Sequence, residues 1–379
     1  MSSFTTGMFD KFNLPSYYEI IYLPVLYLLR KDFSFLRPIG KQFRSLAFVW
    51  FILLILAVIL GSFSTGGILS VARSYLLIIL FVCIGMNIKM DKRFYTALFL
   101  LSLGSIIGWV LYIQGKLMGF FPWGENDLLF AFYGNMLSIP VGISIVFSFF
   151  PNIFLILIVL GVNVFLSFTS GLRRQMLTSI ISFVMYYAVY FLRGAKMKTL
   201  IPVIFVVVGI ISALPLIEDK VEEVSPYLHH RVFVRSADSG ENEGDVSRQN
   251  HVRMLFDEAE NLILPHGFVS KRTSVDRGTG MFVDMPIYEL SYTFGMPVAL
   301  ILYVFLIVRV IKIFLIYMRY RTPPLSVWFI CGTVFVMLLL LDGSMLSWTY
   351  VVPFTGIILG AIIRYGDNIR VREIEYYND

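Results

Sequence analysis

Long runs of apolar residues recur along almost the whole chain, at about 46–62, 67–87, 94–112, 129–149, 153–169, 175–192, 199–217, 285–308, 325–341 and 346–363. Each is close to the ~18–20 residues a helix needs to cross a hydrocarbon core. In lipid the backbone must satisfy its own hydrogen bonds, so such runs fold as helices rather than as open strands. The expected fold is an all-α polytopic membrane protein with about 10–11 transmembrane helices. The stretch at about 15–29 holds Glu19 and Pro24, and is read either as an eleventh span or as an interfacial helix. Composition agrees, with 58% hydrophobic and 15% charged residues, where a soluble domain carries about a quarter charged.

Basic residues orient these runs. Arg30, Lys31, Arg37, Lys41 and Arg44 precede the run at 46; Lys89, Lys92 and Arg93 lie two crossings later. Arg193, Lys196 and Lys198 follow the run ending at 192. Arg309, Lys312, Arg319 and Arg321 follow 308, and Arg364, Arg370 and Arg372 close the chain. Counting crossings puts every cluster on one side, which the positive-inside rule makes cytoplasmic. Met1-Ser2-Ser3-Phe4 has no basic n-region and no cleavage site after an apolar run, so the first spans are expected to insert uncleaved. Cys83 and Cys331 both sit in apolar runs, which supports neither a disulfide framework nor a metal site.

The one long polar stretch, 218–284, then faces outward. It divides the chain into an N-terminal membrane bundle (1–217), an extracytoplasmic loop (218–284) and C-terminal membrane helices with a cytoplasmic tail (285–379). Residues Ala237–Gly244 read as loop. After Asp245 or Ser247 as a cap, Val252, Leu255, Phe256, Ala259, Leu262 and Ile263 repeat at helical spacing, and Pro265 and Gly267 end the pattern. This is an amphipathic helix, expected along the membrane surface or over the mouth of the bundle. The loop has no nucleotide-binding glycine motif, and its histidines (His229, His230, His251, His266) lack HExxH spacing. No cofactor, metal or nucleic acid is expected. ATP is absent from that face, so an enzyme there needs a substrate that is already activated.

Three outward segments carry arginines at unusual places. Arg173 and Arg174 open a span on the outer side, against both the positive-inside bias and the helix dipole. Such a placement suits an anionic ligand, which the helix N-terminus would also favour. Arg73 lies within a span about two turns below the outer face, where ionisable groups face a bundle interior or a cavity. Arg248 begins the apolar face of the loop helix, and Arg253 lies more outward on it. Snorkelling accounts for single arginines of this kind equally simply. A pyrophosphate would suit the planar guanidinium forks of Arg73, Arg173, Arg174, Arg248 and Arg253 together. Asp284 and Glu289, where the chain re-enters the membrane, are the candidate catalytic carboxylates. At such a boundary a carboxylate is often merely solvated, but beside an anionic leaving group it can serve as a general base. Asn135 and Asn163 are read as interhelical hydrogen-bond formers.

Three stretches carry a resemblance: Ser170-Gly-Leu-Arg173; Ser247-Arg248 with the following helix and Leu264-Pro-His-Gly267; and Asp284-Met-Pro-Ile-Tyr288-Glu-Leu-Ser-Tyr-Thr-Phe-Gly295. With the topology, they resemble the bacterial polysaccharide polymerases of the O-antigen polymerase/ligase group. The resemblance implies a GT-C-like glycosyltransferase architecture in the bacterial cytoplasmic membrane, with its site on the outer face. It implies undecaprenyl-pyrophosphate-linked oligosaccharide repeat units as substrates, pyrophosphate held by arginines such as Arg173 and Arg248, and a flippase and a chain-length regulator as partners. The related ligases carry a His-Asn pair where this chain has Asp284-Met285, which favours polymerase over ligase. A lipid-linked oligosaccharide flippase is the rival from another class.

Overall fold

The structure is a computed structural model that describes residues 41–61, 67–88, 90–118, 138–150, 153–169, 173–192, 262–268, 286–341 and 352–366, with a few isolated positions between 212 and 229. The described residues are mostly helical. The helices are α1 (Lys41–Leu60), α2 (Gly67–Asn87), α3 (Lys92–Leu117), α4 (Ser138–Phe149), α5 (Ile153–Thr169), α6 (Arg173–Leu192), α7 (Pro286–Phe294), α8 (Met296–Tyr320), α9 (Pro323–Leu341) and α10 (Val352–Gly366). Each apolar run contains helix where it is described, except 199–217, which with 15–29 falls outside the described residues, Ser212 apart; of 129–149 and 346–363 only 138–149 and 352–363 are described. Among the described residues, two helices are long and apolar enough to cross a membrane: Met296–Tyr320 and Pro323–Leu340.

Local chemistry sets several helix ends. Asp91 caps α3, its Oδ1 accepting from the Phe94 N–H at 3.1 Å, as an N-cap carboxylate does. Arg321, at φ 55, ends α8 by donating its N–H to Tyr317 O. Two prolines then open α9, where a missing N–H costs nothing.

The core centres on α9. It touches α4, α6, α7, α8 and α10 and buries Leu325, Val327, Trp328, Ile330, Cys331, Val334, Phe335 and Leu338. By contrast α8 is peripheral: Ala299, Leu306, Val310, Ile313 and Tyr317 face inward, while Leu300, Ile301 (70% exposed), Val304, Ile311 and Leu315 form an exposed apolar face. A helix apolar on both faces, one of them uncovered, matches a hydrocarbon surrounding better than water.

The tightest helix pair is α2 with α10, and glycine makes it possible. Gly356 and Gly360 of α10 lie one turn apart against Phe81 and Val82, and Gly85 of α2 lies against Ile357. A Cβ at any of the three would strike the facing helix. Small residues at this spacing let two backbones approach closely, which is how apolar helices gain dispersion contacts in lipid.

Contacts between helices sort into two ends. At one end Trp328 Nε1 donates to Tyr95 Oη at 2.9 Å, Ser148 Oγ donates to Ser326 Oγ at 3.0 Å, and Arg364 donates to Ile88 O. At the other, Phe268 N donates to Ala57 O at 2.9 Å, and Tyr75 Oη donates to Glu289 Oε1 at 3.0 Å. Lys92 and Arg93 begin α3, Arg319 lies in the last turn of α8, and Arg364 lies in the last turn of α10. All stand at the first end.

Three sequence readings change. The apolar run at 285–308 is not one helix: Gly295, at φ 90, separates the short α7 from α8. A Cβ on Gly295 would lie 2.8 Å from Ile263 O, so the break needs glycine for space as well as for backbone angle. The helix also continues past 308, so Arg309 and Lys312 lie within α8 rather than in a loop after it. Finally, Asn163 Nδ2 donates to Val159 O at 2.7 Å, one turn back in its own helix, a partner the interhelical reading had not included.

Candidate functional site

The site is built where the end of the long polar stretch meets α1, α2 and α7. Leu262 and Ile263 are the last helical residues before Pro265, as the proline and glycine signals predict. The next residues, through Phe268, then form a clasp over two helix ends. His266 N donates to Tyr292 O at 2.9 Å and Gly267 N to Thr293 O at 3.2 Å, both in the last turn of α7. Phe268 N donates to Ala57 O, in the last turn of α1. The Tyr292 and Thr293 carbonyls lie where the helix runs out of donors, and Ala57 O, which also accepts from Gly61 N at 3.1 Å, takes the clasp as a second donor. Gly267 is at φ 81, and a Cβ there would collide with the α1 backbone at Ala57 and Gly61.

The clasp ends in a buried ring. Phe268 packs on Tyr75 (centroids 5.3 Å) and Phe294 (5.9 Å), and Trp50 packs on Phe294 (5.0 Å) and Tyr75 (6.4 Å). These four rings come from α1, α2, the clasp and α7. Against them stands the carboxylate of Glu289, only 7% exposed. Tyr75, fully buried, donates its hydroxyl to Glu289 Oε1 at 3.0 Å. Glu289 lies in the first turn of α7, where the helix dipole favours a negative charge.

Glu289 is therefore not a solvated boundary acid. α7 has nine residues and buries Pro286, Tyr288, Glu289, Leu290, Ser291, Thr293 and Phe294. A helix this short does not cross a membrane by itself. A carboxylate held in such a place is a candidate functional group, because desolvating it costs stability that packing alone would not require. The chemistry open to a carboxylate in such a place is proton acceptance or proton carriage.

The other candidates are placed less fully. Arg73 lies in α2 two residues before Tyr75, so its helix reaches the site. Arg173 and Arg174 open α6; the side chains of all three lie outside the described residues. Arg248, Arg253 and Asp284 lie wholly outside them. His266 is described: it is exposed and stacks on Tyr292 with centroids 4.6 Å apart. Among the described residues no cluster of His, Cys, Asp and Glu is arranged to hold a metal.

Sequence reasoning missed Tyr75, Trp50 and Phe268. A signal existed for the first: a tyrosine deep in an apolar run needs a partner for its hydroxyl. Only the fold shows that the partner is Glu289. No family model, curated protein or solved structure matches the chain.

Proposed function

We propose that this chain is a polysaccharide polymerase of the bacterial cytoplasmic membrane, a GT-C-like glycosyltransferase of about 10–11 spans whose site faces outward. The observation that carries the reading is Glu289, buried beneath the Leu264–Phe268 clasp. Two of the three motif-bearing stretches meet there, beside the helix that bears Arg73. The sorting of basic residues to the opposite end supports the orientation.

In this reading a growing glycan on undecaprenyl pyrophosphate is the donor, and a second lipid-linked repeat unit is the acceptor. An acceptor hydroxyl oxygen bonds to the donor's anomeric carbon. The bond from that carbon to the pyrophosphate oxygen breaks, and undecaprenyl pyrophosphate leaves with the electron pair. The hydroxyl proton passes to a carboxylate, Glu289 with Asp284 as the alternative. Arg73, Arg173, Arg174, Arg248 and Arg253 balance the leaving charge. Neither metal nor nucleotide enters. A flippase that supplies repeat units and a chain-length regulator are the partners.

The test is purified protein in liposomes with lipid-linked repeat units. A ladder of products without any added acceptor is expected, and substituting Arg173 or Arg248 by Ala should shorten it. No extension unless a different acceptor is supplied would make the chain a ligase instead.

A second reading has its own observation. A helix broken at Gly295 beside a buried acid is also how carriers build midplane sites. Movement of labelled lipid-linked repeat units across the liposome membrane, with no new glycosidic bond, would establish a flippase and sink the polymerase.

A further inference from the structure

Phenylalanine would fill the Tyr75 position as well as tyrosine does, were packing its only task. The ring already touches Trp50, Phe268 and Phe294. The hydroxyl adds a polar group at a place with 0% exposure, a cost met only by a bonded partner. That partner is Glu289 Oε1, at 3.0 Å.

We infer that Tyr75 is a positioning residue for Glu289, fixing the plane of its carboxylate towards the acceptor hydroxyl. This rests on the reading of Glu289 as the general base. The geometry is over-determined on the tyrosine side: rings from three elements hold the phenol, so its hydroxyl has little freedom, and the carboxylate oxygen it binds inherits that constraint. One of those rings, Phe268, belongs to the clasp. The Leu264–Phe268 clasp is thereby linked to the orientation of the carboxylate, through Phe268 and then Tyr75.

The experiment compares Tyr75→Phe, Glu289→Gln and the double variant as full-length protein in liposomes. The probe is lipid-linked repeat units extracted from cells lacking this chain. Tyr75→Phe should lower kcat about tenfold and leave KM within about twofold. Glu289→Gln should lower kcat by about a hundredfold or more, and the double variant should be no worse than Glu289→Gln, because residues acting through one another are not additive. Normal kcat in Tyr75→Phe, or a double variant that falls by the product of the single effects, overturns the positioning role. Full activity in Glu289→Gln removes the base reading and the positioning role with it, and a wild type without turnover counts against polymerisation itself. Infrared spectroscopy gives a readout independent of turnover. The Glu289 carboxyl band, assigned by its loss in Glu289→Gln, should shift in Tyr75→Phe. It should shift the opposite way with 3-fluorotyrosine at position 75, a stronger donor of nearly the same shape. A band unmoved by both overturns the proposal.

Discussion

Tyr75 and Glu289 stand 214 positions apart in the chain, yet the phenol of one donates to the carboxylate of the other at 3.0 Å inside a shell of aromatic rings. Removing the acceptor altogether should cost more than weakening it. Glu289→Ala leaves a buried hydroxyl without its partner, a loss of about 1–3 kcal/mol. Glu289→Gln keeps a carbonyl oxygen for Tyr75 and should cost less. Thermal unfolding in detergent should rank wild type above Glu289→Gln and Glu289→Gln above Glu289→Ala. Equal midpoints for the two variants would mean that the bond contributes nothing.

The clasp depends on one backbone angle. Gly267→Ala would place a side chain at φ 81 and against the α1 backbone, costing roughly 1–3 kcal/mol from strain alone. The expected result is displacement of the clasp rather than global unfolding. Limited proteolysis should then cut near Pro265 in the variant at protease levels that spare the wild type. Unchanged cleavage would show that the clasp tolerates the side chain.

Glycines in this protein should divide sharply by what faces them. Gly360→Leu forces α10 away from Val82 and Met86 of α2 and should abolish the folded monodisperse state. Gly104 in α3 and Gly161 in α5 have nothing within 4 Å of an added Cβ. Alanine at either should stabilise by about 0.5–1 kcal/mol through helix propensity. Size-exclusion profiles and melting curves of the three variants check both halves of this contrast.

At the opposite end, Trp328 gives its indole N–H to Tyr95 Oη at 2.9 Å, and Tyr365 Oη lies 3.5 Å from the same oxygen. Tyr95→Phe strands the buried indole donor and should cost about 1–3 kcal/mol. Trp328→Phe removes the donor but leaves a smaller ring in a fully buried place. The double variant should then lose less than the sum of the two single losses, because both remove one bond. Strict additivity in thermal unfolding would argue against the bond.

Much of the fold is legible in the sequence because it follows from local physics. A run of about twenty apolar residues has few ways to satisfy its backbone in lipid, so the presence of α1 to α6, α9 and α10 can be read directly. Asp91, Pro323 and Pro265 mark helix boundaries for equally local reasons. The site was less legible. Glu289 stood out as an acid near a membrane boundary, but its burial depends on α7 turning into the bundle. The run at 285–308 hides that turn, because Gly295 inside an apolar stretch looks like any membrane glycine.

The sequence alone determined that this chain is helical and apolar, that its basic residues cluster between segments, and roughly where most helices lie. These properties depend on each residue and its near neighbours. Only the tertiary structure decided that α7 is a separate buried helix, that Leu264–Phe268 closes over the ends of α1 and α7, and that Tyr75 meets Glu289. Closure over α1 and the break before α8 depend on backbones approaching at Gly61, Gly267 and Gly295, where the absence of a side chain is what permits contact, and the Tyr75–Glu289 bond joins residues 214 positions apart. A missing side chain leaves no local pattern from which to read its partner.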